Sequence, residues 1–215
     1  MRTLIFAAYA VCTLNYAFGQ EHGIINTSRS PHVKLRSVDF GDCRWTEGFW
    51  AEKFKLCEQV MVPHMGTLLK DDVGQAYDNF KIVAGLKEGE HHGTNWHDGD
   101  FYKWMEAATY IYAMNQDPAI IAELDAIIGV IGQAQAEDGY LHTAVMLKGL
   151  GRYTNRQHHE MYNSGHLLTA ACIHHRVTGK RNFLDIAVKH ADHLVRTFGP
   201  QPKELARFGF NQTQI

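Results

Sequence analysis

The chain has 215 residues, 45% of them hydrophobic and 20% charged, with a net charge of −2. That length supports one sizeable domain with its own core, and the balance excludes a disordered chain. Near-neutral charge without a basic cluster argues against nucleic acid or anionic lipid as partners.

In chain order, MRTLIFAAYAVCTLNYAFGQ reads as a secretory signal. Arg2 precedes an apolar run from Thr3 to about Leu14, and Ala17-Phe18-Gly19 offers a cleavage site before Gln20. The run falls short of the roughly 20 residues a membrane span needs. Residues 1–19 are therefore assigned to a signal peptide rather than to stable membrane insertion, and the mature protein to a secreted or periplasmic location. Cys43, Cys57 and Cys172 are widely spaced and form no CxxC pair, so they read as buried thiols with one disulfide possible.

Residues 20–44 form an N-terminal arm in which SPHVKLRSVDF (30–40) alternates loosely, as a short strand or extended segment would. Beyond Trp45, the apolar steps Phe49, Trp50, Phe54, Cys57, Val60 and Met61 are helical, with Pro63 expected to kink or end the helix. The segment around Phe101, Trp104, Met105, Ala108, Ile111 and Tyr112 is helical and also apolar on its other side, as is GHLLTAACI (165–173), so both are expected to be buried all round. Each is followed by a one-sided helix. One carries the stripe Ile120, Ile121, Leu124, Ile127, Ile128 and Ile131; the other carries Leu184, Ala187, Val188, Ala191, Leu194 and Val195. Ala107-Ala108 recurs as Ala170-Ala171, 63 residues later. A buried helix followed by an amphipathic one, repeated, is a helix-hairpin repeat whose units stack to bury their inner faces. The expected fold class is all-α, an (α/α)6 toroid. A closed ring of six hairpins needs roughly twelve helices, so residues 45–215 are expected to form only part of it, after the short extended arm.

Polar residues gather before the inner helices. In GTNWHDGDFYKWMEA (93–107), Asp98 and Asp100 suit the N-cap or first turn of a helix, and acids beside His97 and Trp96 also suit a sugar. In QAEDGYLHT (135–143), Asp138-Gly139 marks a turn that would carry Tyr140 and His142 to the same face. HHEMYNSGHLLTAACIHHRVTG (158–179) raises the question of metal. Asn163 stands where HExxH needs its second histidine, and although His159 and His166 share a face, no third ligand is evident. His159 and Glu160 are also of types that serve acid–base chemistry. His174, His175, His190 and His193 read as surface residues, and Asn163 or Ser164 as a helix cap.

DGDFYKWMEAA, AQAEDGYLHT, HEMYNSGHLLTAA and TGKRNFLDIAVKHADHLVRTFGP resemble successive blocks of the β-L-arabinofuranosidase family, glycoside hydrolase family 127 and relatives, from about Trp45 to Ile215. The resemblance implies an (α/α)6 barrel, often followed by a β-sandwich, and hydrolysis of non-reducing-end furanosides of plant-type glycans. It also implies a zinc-held cysteine nucleophile with a glutamate acid/base in the full-length domain. No cysteine here matches those motifs, so no catalytic or metal-binding role carries over and no cofactor is expected within this segment. The substrate-facing rim does carry over, as His159, Glu160 and His166 with Asp98 and His142. Thr169 stands where relatives often have glutamate. The reading is thus part of a secreted glycoside hydrolase with a carbohydrate substrate, inactive by itself. Another toroid sugar enzyme (an epimerase or lyase) and a non-catalytic carbohydrate-binding protein are the alternatives.

Overall fold

The chain is described here from a computed structural model, which covers residue 27, residues 29–35 and residues 37–198. The signal segment, the first residues of the arm and the last seventeen residues lie outside the described residues. Eight α-helices follow one another: α1 Gly48–Leu56, α2 Val62–Lys70, α3 Ala76–Val83, α4 His97–Asn115, α5 Pro118–Ala134, α6 Thr143–Leu147, α7 Glu160–Thr178 and α8 Asn182–Phe198. No strand occurs among the described residues, so residues 30–35 and 37–40 are turns and irregular backbone rather than a short strand. No described helix is long and apolar enough to cross a membrane.

The four central helices carry the repeat. Inner helix α7 starts and ends 63 residues after inner helix α4. The two lie side by side, with α5 packed on α4, α8 on α7, and α5 and α8 in contact with each other. This is two hairpins of an α/α toroid, inner helices against inner and outer against outer. Local chemistry sets the boundaries. Asp117 caps α5 by accepting the Ala119 N–H at 2.9 Å, with Pro118 at the first helical position, where a missing N–H costs nothing. Gly179 at φ +72° ends α7 in the left-handed conformation that glycine takes without penalty.

α4 is buried nearly all round because neighbours cover it on every side. Phe101 packs against Tyr77, Phe80 and Trp104, and Tyr102 against Phe80 and Phe183. Each fully buried aromatic of this kind contributes on the order of 2–3 kcal/mol from apolar area alone. α2 is pinned to α4 where the Trp104 indole N–H donates to the Val62 carbonyl at 2.9 Å; a Cβ on Gly66 would come within 2.5 Å of that indole. Pro63 does not end the helix. A π-helical turn at Cys57–Met61 precedes it, and α2 restarts with Pro63 in its first turn, where its missing donor is harmless.

α8 departs from the expected stripe. Its buried face is Phe183, Ile186, Ala187, His190, His193 and Leu194, while Val188 and Val195 are exposed. Two histidines occupy core positions. His190 lies 2.8 Å from Ser164 Oγ and 3.0 Å from the Gly139 carbonyl, so its polar atoms are satisfied inside, and His193 stacks on the Tyr153 ring. His174 is buried as well, against Phe183. The surface assignment of His174, His190 and His193 is therefore corrected; His175 alone keeps partial exposure. The cysteines are corrected too: all three are free, with Cys43 and Cys172 exposed and Cys57 half-buried.

Candidate sugar-binding cleft

The N-terminal ends of α4 and α7 meet because position 99 is glycine. A Cβ there would sit 2.7 Å from Asn163 Oδ1 and 3.0 Å from the Tyr162 ring. Instead the Gly99 N–H donates to Asn163 Oδ1 at 3.0 Å, and the same amide donates from Nδ2 to the Asn95 carbonyl at 2.9 Å. Asn163 therefore works as a cross-helix tie rather than as a cap of its own helix.

Asp98 and Asp100 both lie in the first turn of α4. Asp98 is buried and serves another helix: its carboxylate accepts the Thr143 N–H at 2.7 Å and the Thr143 hydroxyl, at the start of α6. Burial pushes its carboxyl up, and the two Thr143 bonds oppose that shift. His142 is the N-cap of α6, with Nδ1 accepting the Val145 N–H at 3.2 Å. That bond leaves the proton on Nε2, which faces the His158 carbonyl at 2.8 Å. Burial lowers the His142 pKa to about 4, so it stays neutral. Both residues therefore have their polar atoms already engaged.

An open cleft of about 410 Å³ is lined by Trp96, Gln157, His159 and Tyr162. Trp96 and His159 precede α4 and α7 at equivalent positions of the repeat, and their rings meet edge to face at 4.9 Å. Trp96 keeps 41% of its surface exposed. His159 has φ +59°, a left-handed conformation that costs a non-glycine residue free energy and persists only where surroundings enforce it. Tyr162 stands one turn on, and its hydroxyl accepts from Lys103, which also pairs with Asp100 at 3.0 Å. His166 meets the Tyr162 ring edge to face at 4.6 Å from behind, and its Nε2 has no hydrogen-bond partner among the described residues. Burial, then the nearby Lys103, lowers its pKa to about 4. Aromatic surface beside an imidazole and an amide suits a sugar, whose C–H face stacks on rings while its hydroxyls find donors and acceptors.

Glu160 points the other way, towards α8. Its Oε1 accepts from the Tyr140 hydroxyl and its Oε2 from the Tyr153 N–H at 2.7 Å. Burial raises its pKa to about 7 against the pull of those bonds and of Arg152. Arg152 lies over the Tyr140 ring, 4.0 Å from its centroid, and pairs with Asp138.

Of the five residues singled out in the sequence, the structure puts His159 on the cleft wall and His166 behind it. Asp98 and His142 are buried and outside its lining, and Glu160 faces away from it towards Tyr140 and Tyr153. Sequence reasoning missed Tyr162 and Gln157, and named Trp96 as an aromatic that would suit a sugar beside the acids. The 63-residue offset was the available signal, since it pairs Trp96 with His159 and Gly99 with Tyr162. The described residues do not fit the zinc that the resemblance implies: no three histidine, cysteine or acidic side chains among them come together to hold a metal.

Residues 42–213 match the family described as beta-L-arabinofuranosidase, GH127 catalytic domain. Over 143 residues the chain is 40% identical to the non-reducing end beta-L-arabinofuranosidase of Bifidobacterium longum subsp. longum, covering 63% of this chain and 22% of that protein. Among solved structures it resembles a GH127 beta-L-arabinofuranosidase from Geobacillus stearothermophilus T6, with a TM-score of 0.71 at 35% identity over 74% of this chain and 26% of that one. A second GH127 beta-arabinofuranosidase gives a TM-score of 0.69 at 30% identity over 76% of this chain and 27% of that one. The chain thus spans about a quarter of the length of these relatives.

Proposed function

The chain belongs to the GH127 beta-L-arabinofuranosidase catalytic-domain family, and from that premise we propose that it forms the sugar-holding part of a domain hydrolysing β-L-arabinofuranosides. The observation that carries the reading is the cleft at the paired N-termini of α4 and α7, with Trp96, His159 and Tyr162 turned into it. Trp96 and Tyr162 offer stacking surface to the furanose ring or its neighbour. His159 and Gln157 take its hydroxyls, and His166 lies behind Tyr162 within the same cluster. Asp98 and His142, outside the cleft lining, hold Thr143, Val145 and the His158 carbonyl.

Bond cleavage needs groups that these residues do not assemble. The zinc-held cysteine nucleophile and the glutamate acid/base implied by the resemblance would have to be supplied by the full-length domain, with the zinc bound there. The signal-like residues 1–19 support a secreted or periplasmic location, and a plant-type glycan is the proposed substrate class. Calorimetric titration with methyl β-L-arabinofuranoside tests the cleft: the chain binds it, and Trp96→Ala loses most of the affinity. Aryl arabinofuranoside with added zinc tests the division of labour. No turnover by this chain is expected, and clear turnover would overturn the view that the reacting groups lie elsewhere.

A further inference from the structure

Glu160 opens α7 directly after the strained His159 and beside the cleft, yet it has its back to it. On a helix, residues two apart point to opposite sides. Glu160 therefore faces α8 and the loops, while Tyr162 and His159, three apart, face the cleft with their rings 6.0 Å apart. The Glu160 carboxylate joins three segments: its own helix, the turn bearing Tyr140 and the loop bearing Tyr153. Its backbone carbonyl accepts from Ser164 Oγ at 2.7 Å, which continues to His190 of α8. Tyr153, like His159, has a positive φ, at 56°. Two left-handed non-glycine residues thus flank one buried carboxylate that both loops share. Positive φ at such residues persists only where neighbouring bonds over-determine it.

We propose that Glu160 is a positioning residue whose ionised carboxylate, clamped by Tyr140 and Tyr153, holds the first turn of α7 so that His159 and Tyr162 are presented to the sugar, and that proton uptake by this carboxylate loosens the presentation. The ionised form accepts both bonds. The protonated form accepts one and turns the other into a donor, which leaves the buried Tyr140 hydroxyl proton without its acceptor. Tyr140, Tyr153 and Arg152 act on the carboxylate itself; the titratable and charged groups packed around these three are Asp138 and His142 from the turn before α6 and His190, His193 and Arg196 from α8. His190 has a pKa lowered to about 4 by burial, and His193 is lowered by burial too, so both stay neutral near neutrality. The Asp138 carboxylate, partnered by Tyr140 N–H and Arg152, stays ionised. Glu160, raised to about 7 by burial, is the group of this cluster that changes charge close to neutral pH.

The inference rests on the cleft assignment above, and the test separates the two. Affinity for methyl β-L-arabinofuranoside is measured by calorimetry from pH 5.5 to 8.5 for the parent protein, Glu160→Gln, Tyr140→Phe and Trp96→Ala. The parent should bind about five- to tenfold more weakly as pH falls through the neutral range, the loss expected for one ordinary hydrogen bond. Glu160→Gln should bind with the weak, low-pH affinity throughout, with that pH step gone. Tyr140→Phe removes one hydroxyl and keeps the ring, so it should weaken binding at pH 8 even where Glu160→Gln folds poorly. If Trp96→Ala abolishes binding while Glu160→Gln and Tyr140→Phe keep the parent's affinity and pH step, Glu160 is not a positioning residue and the cleft stands. If the parent does not bind, or Trp96→Ala leaves binding unchanged, the cleft assignment fails and this inference falls with it.

Discussion

Gly99→Ala sets helix propensity against packing. In an isolated helix, alanine is favoured over glycine by about 1 kcal/mol. Here the new Cβ would lie 2.7 Å from Asn163 Oδ1, where ordinary van der Waals contact begins near 3.4 Å, so the amide must retreat by about 0.7 Å. That retreat stretches the Gly99 N–H···Oδ1 bond from 3.0 Å to beyond hydrogen-bonding range. It leaves a buried donor unpaired at a cost of about 1–3 kcal/mol, and overpacking adds about 1–3 kcal/mol. Packing wins, for a net loss of about 1–5 kcal/mol. At about 2–4 °C per kcal/mol for a chain of this size, calorimetry should show a melting temperature lower by roughly 2–20 °C, and urea titration the matching loss of unfolding free energy. Tyr162 is the second atom group in the way, at 3.0 Å, so sugar affinity should fall as well. A variant as stable as the parent, or more stable, would refute the close helix contact as the reason for glycine.

Phe101→Ala empties the fully buried position that contacts Tyr77, Phe80 and Trp104, and urea unfolding should show a loss of about 3–5 kcal/mol. Trp96→Ala removes a side chain with 41% of its surface exposed, so the unfolding free energy should stay within about 0.5 kcal/mol of the parent while sugar affinity falls. Buried His142, His174 and His190, each lowered to about 4, bind fewer protons folded than unfolded. Their stabilisation is full above about pH 6.5 and is lost as pH falls towards about 4, by up to about 3 kcal/mol each, which acid titration by circular dichroism would follow. Glu160 runs the other way: raised to about 7, its contribution is full below about pH 4.5 and is lost as pH rises through 7, up to about 3 kcal/mol. The two windows overlap between about pH 4.5 and 6.5, where three histidines outweigh one carboxylate, so stability should rise up to about pH 6.5 and then fall slightly towards 7; Glu160→Gln should steepen the rise and remove the fall.

The hairpin repeat was legible because long apolar periodicity survives in α4, α5, α7 and α8, and an offset between small-residue pairs is visible without coordinates. Short elements were not. α3 and α6 span eight and five residues and carry too few turns for a period to show. The register of α8 was misread because hydrophobic patterning scores His190 and His193 as polar, although Ser164, the Gly139 carbonyl and the Tyr153 ring give them partners inside. The rim was legible as a set of residue types but not as directions. Whether Glu160 or Tyr162 faces the cleft depends on how α7 begins. That start is set by the left-handed backbone of His159, which no local pattern announces. Asp98 looked equally like a cap and a ligand because its partner, Thr143, lies 45 residues away.

The most direct test of the account is a crystal structure of the protein with methyl β-L-arabinofuranoside bound. The sugar is expected between Trp96 and Tyr162, hydrogen-bonded to His159, with Glu160 still held by Tyr140 and Tyr153. A sugar bound away from the N-termini of α4 and α7, or bound directly to the Glu160 carboxylate, would contradict it.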